Sequence, residues 1–228
     1  MRSRRQSGFS VLELMIVVLI ILIVMAMSAP KMSQLIDNQK LQTSAQAYAG
    51  LLQEARARAV QDDKPYEVLI DTSSGTPIAY IDLNDDGQYN PSGTPPEPGV
   101  LLARPISVSD TGLPTAANGF DTVHPLNIIP LHDSTSPMLA SDPGGTPRPG
   151  LAFNQRGLPC QRFAAGANCV NAIPAQTPPL PPQVAWVTYF QFALTNGGKN
   201  YAAISVTPAG RIKTWSFQSD GQGGGTWY

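Results

Sequence analysis

The sequence predicts an α+β chain: one long N-terminal helix, membrane-spanning in its first half, packs its second half against an antiparallel β-sheet domain. Three observations carry this reading. Residues 9–29 form an apolar run in which Glu13 is the only charged side chain. Beyond Pro30, apolar or small residues recur at helical spacing to about Gln61. After Asp62-Asp63-Lys64-Pro65 the pattern changes to short strand-like stretches divided by Gly, Pro, Asn and Asp.

The apolar run of 21 residues makes a helix about 31 Å long, roughly the thickness of a bilayer core. The flank before it, Met1-Arg2-Ser3-Arg4-Arg5-Gln6-Ser7-Gly8, carries three Arg, which hold this end in the cytoplasm and send everything after Ala29 outside. An ionised carboxylate in hydrocarbon costs at least about 2.5 kcal/mol, so Glu13 requires a partner. The alternative is an ordinary secretory signal cut near Ala26-Met27-Ser28, leaving a soluble exported protein. Against it stand the length of the run, where a signal core has about 7 to 15 residues, and the Glu just inside it.

Gly8-Phe9-Ser10-Val11-Leu12-Glu13 resembles the N-terminus of the type IV pilins and type II secretion pseudopilins, whose short basic leader ends in Gly, followed by Phe and by Glu at mature position five. The resemblance implies cleavage between Gly8 and Phe9 by a prepilin peptidase, N-methylation of Phe9, and a helix-bending Pro at Pro30. A missing N–H and a ring clash give the physical reason for a kink or local melting there. The new α-amine of Phe9 and the carboxylate of Glu13 are one helical turn apart on one face. Each lowers the other's cost of burial, within one subunit or, as the family's assembly implies, between neighbours. The alternative role for Glu13 is a side chain that snorkels to the cytoplasmic interface.

The expected domain boundaries are a cleaved leader at 1–8, a membrane span at 9–29, an amphipathic half-helix at 30–61 and a β-rich periplasmic domain at 62–228. Leu35, Ile36, Leu41, Ala45, Ala49, Leu52, Ala55 and Ala59 form the stripe of the second half-helix. Strands are expected at 66–70, 78–83, 100–108, 126–131, 151–154, 184–194, 201–206 and 211–218. Val68, Ile70, Val187, Phe190 and Ile204 are the expected covering face. With 22 Pro and 20 Gly, much of the domain is loop; 91–98, 143–149 and 174–182 read as stiff Pro-rich connections and 221–225 as a flexible end.

Three local signatures resemble the GspH/FimT group of minor pilins and pseudopilins. They are Leu52-Gln53-Glu54-Ala55-Arg56-Ala57-Arg58-Ala59 leading to Lys64-Pro65-Tyr66-Glu67-Val68, then the Phe153 to Gly157 stretch Phe-x-x-x-Gly, and the terminal Pro208-Ala209-Gly210-Arg211-Ile212-Lys213. The resemblance implies a structural, non-catalytic subunit without cofactor, anchored once in a bacterial inner membrane. Its implied partners are prepilin peptidase, other pilins or pseudopilins, the assembly platform and inner-membrane lipid.

Charge excludes a globally basic protein. Loss of the leader takes three of the 15 basic side chains, leaving 12 against 16 acidic ones, a formal −4. Bulk attraction to nucleic acid is therefore absent, although a local patch remains open. Arg156, Arg162, Arg211 and Lys213 are the candidates for such a patch, since basic groups hold phosphate while nearby aromatic rings stack on bases. Some FimT-like pilins take up DNA through a Gly-Arg-x-Arg type motif, which Gly210-Arg211-Ile212-Lys213 resembles with Lys last. The competing reading is the solvated face of a hairpin.

Asp82-Leu83-Asn84-Asp85-Asp86-Gly87 sets oxygen side chains at alternate positions before a Gly, as a calcium loop begins, making Asp82, Asn84 and Asp86 a weak metal candidate. Gly93 stands where a bidentate Glu belongs, and Glu97 arrives four residues late. A polar turn is the expected outcome and no metal is assigned. Cys160 and Cys169 are the only cysteines, and an exported domain favours their disulfide. His124 and His132, the only histidines, stand in no nucleophile or metal motif, so no catalytic residue is assigned.

Overall fold

The computed structural model describes residues 10–71, 75–103, 106–108, 127–130, 150–160, 162, 169, 184–193, 199–219 and 225–228. Two compact units are present, Met1–Gln39 and Lys40–Tyr228.

Among the described residues there is one helix, α1, which runs Val11–Gln61. Ser10 opens it: its Oγ accepts the Leu12 N–H at 3.3 Å, a donor that no helical carbonyl reaches, and its carbonyl accepts Leu14 N–H at 3.1 Å as the first bond of the helix. The backbone is helical through Pro30, so the local melting expected there does not occur. The stop follows the sequence. Asp63 turns into the left-handed region (φ 53), and Lys64 N–H bonds back to Ala59 O at 3.3 Å, as in a Schellman ending. Pro65 prevents continuation.

In the unit Lys40–Tyr228, the strands are β1 (Tyr66–Asp71), β2 (Ile78–Asp82), β3 (Gly99–Leu101), β4 (Ile106–Val108), β5 (Asn127–Pro130), β6 (Leu151–Phe153), β7 (Pro159–Cys160), β8 (Val184–Ala193), β9 (Lys199–Val206), β10 (Ile212–Ser219) and β11 (Gly225–Trp227). They make two sheets rather than the one expected. One has the order β3-β2-β1-β6-β7; the other has β11-β10-β9-β8-β4, with β5 also pairing β8. Among the described residues all pairs are antiparallel except β5 with β8, which is parallel and departs from the expected all-antiparallel arrangement. The expected strand 100–108 is divided between the sheets, β3 in one and β4 in the other. β7 and β11 were not foreseen; β11 begins where a flexible end was expected.

The main core lies between the second half of α1 and both sheets. Leu41, Ala45, Tyr48, Leu52, Ala55 and Ala59 meet Val68 and Ile81, Leu151 and Phe153, and Phe190, Ile204 and Val206. Leu35 and Ile36, the first two residues of the expected stripe, are exposed instead. Val187 also departs from expectation: it joins Ala203, Trp215 and Trp227 in a second cluster. Val187 and Phe190 are an odd number of positions apart on β8, so a period of two places them on opposite faces.

Tyr48 sits edge-on to Phe190, with centroids 5.4 Å apart, and burial pushes its phenol up to about 12 against a slight lowering by the hydrogen bond to Thr188. A phenol raised only in the folded chain stabilises below pH 10 and loses that contribution as pH rises from 10 toward 12. A rise of this size is equivalent to roughly 2–3 kcal/mol. Alkaline denaturation of Tyr48→Phe should therefore lack this part of the loss; a wild-type pH profile unchanged by the substitution would contradict the assignment.

Candidate functional site

Three groups of side chains are candidates, and they are built differently. The first is the N-terminal turn of α1. Ser10 is its cap and Glu13 its first-turn acid, a placement that favours the positive end of the helix. Ser10 was not singled out from sequence, although Ser followed three residues later by Glu is a capping pattern. From Val11 to Met25 every large apolar side chain is exposed, between 46% at Ile21 and 77% at Val11. An apolar helical surface on all sides needs an apolar surround. Among the described residues no helix is long and apolar enough to cross a membrane; the described side chains of this run end at Met25. Gly8 and Phe9 lie outside the described residues, and Pro30 is described in its backbone alone.

The second group joins two turns to the end of α1. In the turn after β6, Asn154 Oδ1 accepts the N–H groups of Arg156 (2.9 Å) and Leu158 (3.0 Å), and Gly157 closes it at φ 70. In the turn after β9, Gly210 N–H bonds Thr207 O at 2.7 Å and Gly210 adopts φ 77. A side chain on Gly210 would put its Cβ 2.9 Å from Gly157 O and 3.1 Å from Arg56 Cζ, so only Gly allows this approach. Arg56 Nη1 donates to Gly210 O at 2.8 Å. The turns carrying Arg156 and Arg211 thus meet at Arg56, a residue that sequence reasoning passed over within its helix signature. Arg156 and Arg211 are exposed. Lys213 is exposed too and lies over the Trp215 ring, 3.4 Å from its centroid. The structure does not bring Arg162 to this surface: it is buried and paired with Asp85 at 2.6 Å.

The third group is the turn after β2. Carboxylate oxygens of Asp82, Asp86 and Glu97 all lie within 4.8 Å of one another. Glu97, set aside in sequence as arriving too late, is brought in because Asn90 O accepts the N–H groups of both Gly93 (3.1 Å) and Glu97 (3.2 Å). Asn84 is not one of the three; its Oδ1 accepts Asp86 N–H at 3.2 Å. The acids serve as backbone acceptors. Asp82 takes Asp85 N–H (2.6 Å) and Gly87 N–H (2.8 Å), while Glu97 takes Leu83 N–H (3.1 Å) and Asn90 N–H (2.8 Å). Asp86 takes Gln88 N–H at 2.7 Å and the side-chain amides of Asn84 and Asn90 at 2.8 and 2.7 Å. The three acids thus hold the turn through its backbone and amide donors, and their clustered oxygens are also a set that could hold a cation. Tyr80 gives its O–H to Gly87 O at 2.8 Å, and burial, then the charges of Asp82 and Glu97, raise its phenol above the ordinary value.

Cys160 and Cys169 form a disulfide with Cα atoms 5.5 Å apart. His124 and His132 lie outside the described residues.

Residues 3–29 match the prokaryotic N-terminal methylation motif. No curated protein and no solved structure matches the chain. The motif is typical of the type IV pilin and pseudopilin superfamily, and it marks a structural subunit rather than an enzyme. It implies processing by a prepilin peptidase, N-methylation and assembly with other pilins. The matched stretch contains Gly8, Phe9 and Glu13.

Proposed function

We propose that the chain is a minor pilin or pseudopilin of the GspH/FimT type, held in the bacterial inner membrane by residues 9–29 and inserted into a filament. The methylation motif around Gly8-Phe9 and Glu13 is the observation that carries this reading. The exposed apolar side chains from Val11 to Met25 support it, since lipid and then neighbouring helices supply the apolar surround they need. In this reading Gly8 and Phe9 form the cut site, Glu13 registers the incoming subunit on a neighbour's Phe9 amine, and Pro30 marks the step from span to stalk. The domain beyond contacts other minor subunits and the assembly platform.

Mass spectrometry of the mature N-terminus tests the reading. The expected product starts at Phe9 and carries one added methyl on its amine. A mature chain starting at Ala29 would instead identify a secretory signal and a soluble exported protein. Genes for a secretin and a secretion ATPase nearby would favour the type II pseudopilus; a set of minor pilin genes would favour the pilus.

A second reading, DNA capture, is favoured by one observation: the Gly157 and Gly210 turns touch, gathering Arg156 and Arg211 about Arg56. Phosphate binding there is electrostatic and falls with salt. Arg211→Ala is expected to weaken a gel shift of the full-length protein, and Arg162→Gln to leave it unchanged. No salt-sensitive shift by the wild type removes this reading and leaves the assembly role standing.

A further inference from the structure

One face of the five-stranded sheet packs on α1 through Val68, Ile81, Leu151 and Phe153. Across the other face a row of directly opposed residues runs Asp82, Glu67, Ala152, Cys160 over β2, β1, β6 and β7. Opposed residues of antiparallel strands share a face, so acidic side chains and the disulfide lie on the same side. Glu67, Asp82 and Glu97 are 1%, 2% and 4% exposed, and Arg162, at 5%, is the one buried cation among the described residues. Burying carboxylates is costly without a compensating charge, and a guanidinium cannot escape by losing its proton.

Arg162 stands two residues past Cys160, inside the loop closed by the Cys160–Cys169 disulfide, and donates to Asp85 Oδ2 at 2.6 Å. β2 and β7 are not neighbours; β1 and β6 lie between them. The ion pair therefore ties the chain after β7 to the turn after β2. Closing the Cys160–Cys169 loop restricts the chain that carries Arg162, which lowers the entropy lost in holding the guanidinium at Asp85.

We propose that the disulfide and Arg162 form a redox-sensitive latch on the acidic turn at 82–90. In the oxidising step, the Cys160 and Cys169 thiols pass two electrons and two protons to a disulfide-type oxidant, which becomes a dithiol as the sulfur–sulfur bond forms. Oxidation fixes Arg162 against Asp85 and the turn is held. Reduction by a dithiol reverses the electron flow, parts Cys169 from Cys160 and releases Arg162 and the turn. The latch makes the final shape of this face conditional on arrival in an oxidising compartment, and it does not depend on the pilin reading.

The reporters are the backbone amides of Leu83, Asp85, Gly87 and Asn90, which Asp82 and Glu97 hold. Hydrogen exchange of the full-length protein in detergent should quicken in peptides covering them by about tenfold on reduction with dithiothreitol, the scale of one charge-assisted hydrogen bond. Oxidised Arg162→Gln should show the same rise, and reducing that variant should add nothing. Peptides of β8 and β9 should keep their wild-type rates throughout. Asp85→Asn, whose side chain is 25% exposed, removes the pair from the other side and must give the same result should Arg162→Gln fail to fold. Three results would overturn the latch: no change on reduction, an Arg162→Gln or Asp85→Asn chain that still responds to reduction tenfold, or an acceleration shared equally by β8 and β9.

Discussion

Replacing Glu13 by Ala is expected to leave the chain inserted and cleaved while depressing its incorporation into filaments by roughly 70-fold, the equilibrium equivalent of about 2.5 kcal/mol for a Phe9 ammonium left in hydrocarbon without its carboxylate partner. The size of the loss separates two roles for this side chain. As a first-turn acid beside the Ser10 cap, Glu13 stabilises the helix end by about 0.3–1 kcal/mol, no more than about fivefold. Quantifying the subunit in sheared filaments against the membrane pool decides between them. A loss of fivefold or less would reduce Glu13 to a helix-end residue and remove the inter-subunit pairing. Glu13→Gln isolates the charge: it keeps a hydrogen-bonding side chain of the same size, and the pairing mechanism requires it to assemble almost as poorly as the Ala variant.

Phe190→Ala is expected to cost about 3–5 kcal/mol of folding stability, a large share of the roughly 5–15 kcal/mol that holds a domain together. Phe190 is fully buried on β8, in edge contact with Tyr48 of α1. It joins the helix to the six-stranded sheet at the centre of the main cluster. Truncation leaves a cavity bordered by residues of separate elements, which cannot collapse together to fill it. Leu101→Ala is the comparison, since Leu101 is 69% exposed on the short edge strand β3, and it should stay within about 0.5 kcal/mol. Thermal or urea unfolding of the detergent-solubilised protein measures both. Equal costs for the two would contradict the packing role assigned to Phe190.

Most elements were legible because each announces itself locally. The Asp62-Asp63-Lys64-Pro65 stop fell where α1 ends, and β1, β2, β6, β8, β9 and β10 lie within a few residues of their expected bounds. Which strands become neighbours was not legible, since alternation fixes the face of a residue and leaves its partner open. Hence one sheet was expected where two form, and the parallel pairing of β5 with β8 went unseen. The placement of Val187 was readable and was misread: its odd spacing from Phe190 on β8 already sent it to the other face. Arg162 and Glu97 were beyond local reading, because the path of the chain between each residue and its partners decides the contact. Arg162 meets Asp85 across 77 positions, and Glu97, inside the Pro-rich stretch 91–98, reaches back to Leu83 and Asn90. The N-terminal motif is the opposite case: spacing within a few residues carries all its information, which is why residues 3–29 match a known pattern.

Arg56, Gly157 and Gly210 have a bearing on ancestry. The two glycines touch each other and the same guanidinium, although Arg56 and Gly210 are 154 positions apart. None can change size alone, so descendants of a common ancestor should keep the trio or replace it together. A relative too diverged to be found by overall similarity would still carry Arg near the end of its long helix and a Gly in each of the two turns. The intervals between them are free to drift, since insertions in the connecting loops leave the meeting point untouched. Three positions and their order thus define a pedigree marker that loop-length variation cannot erase.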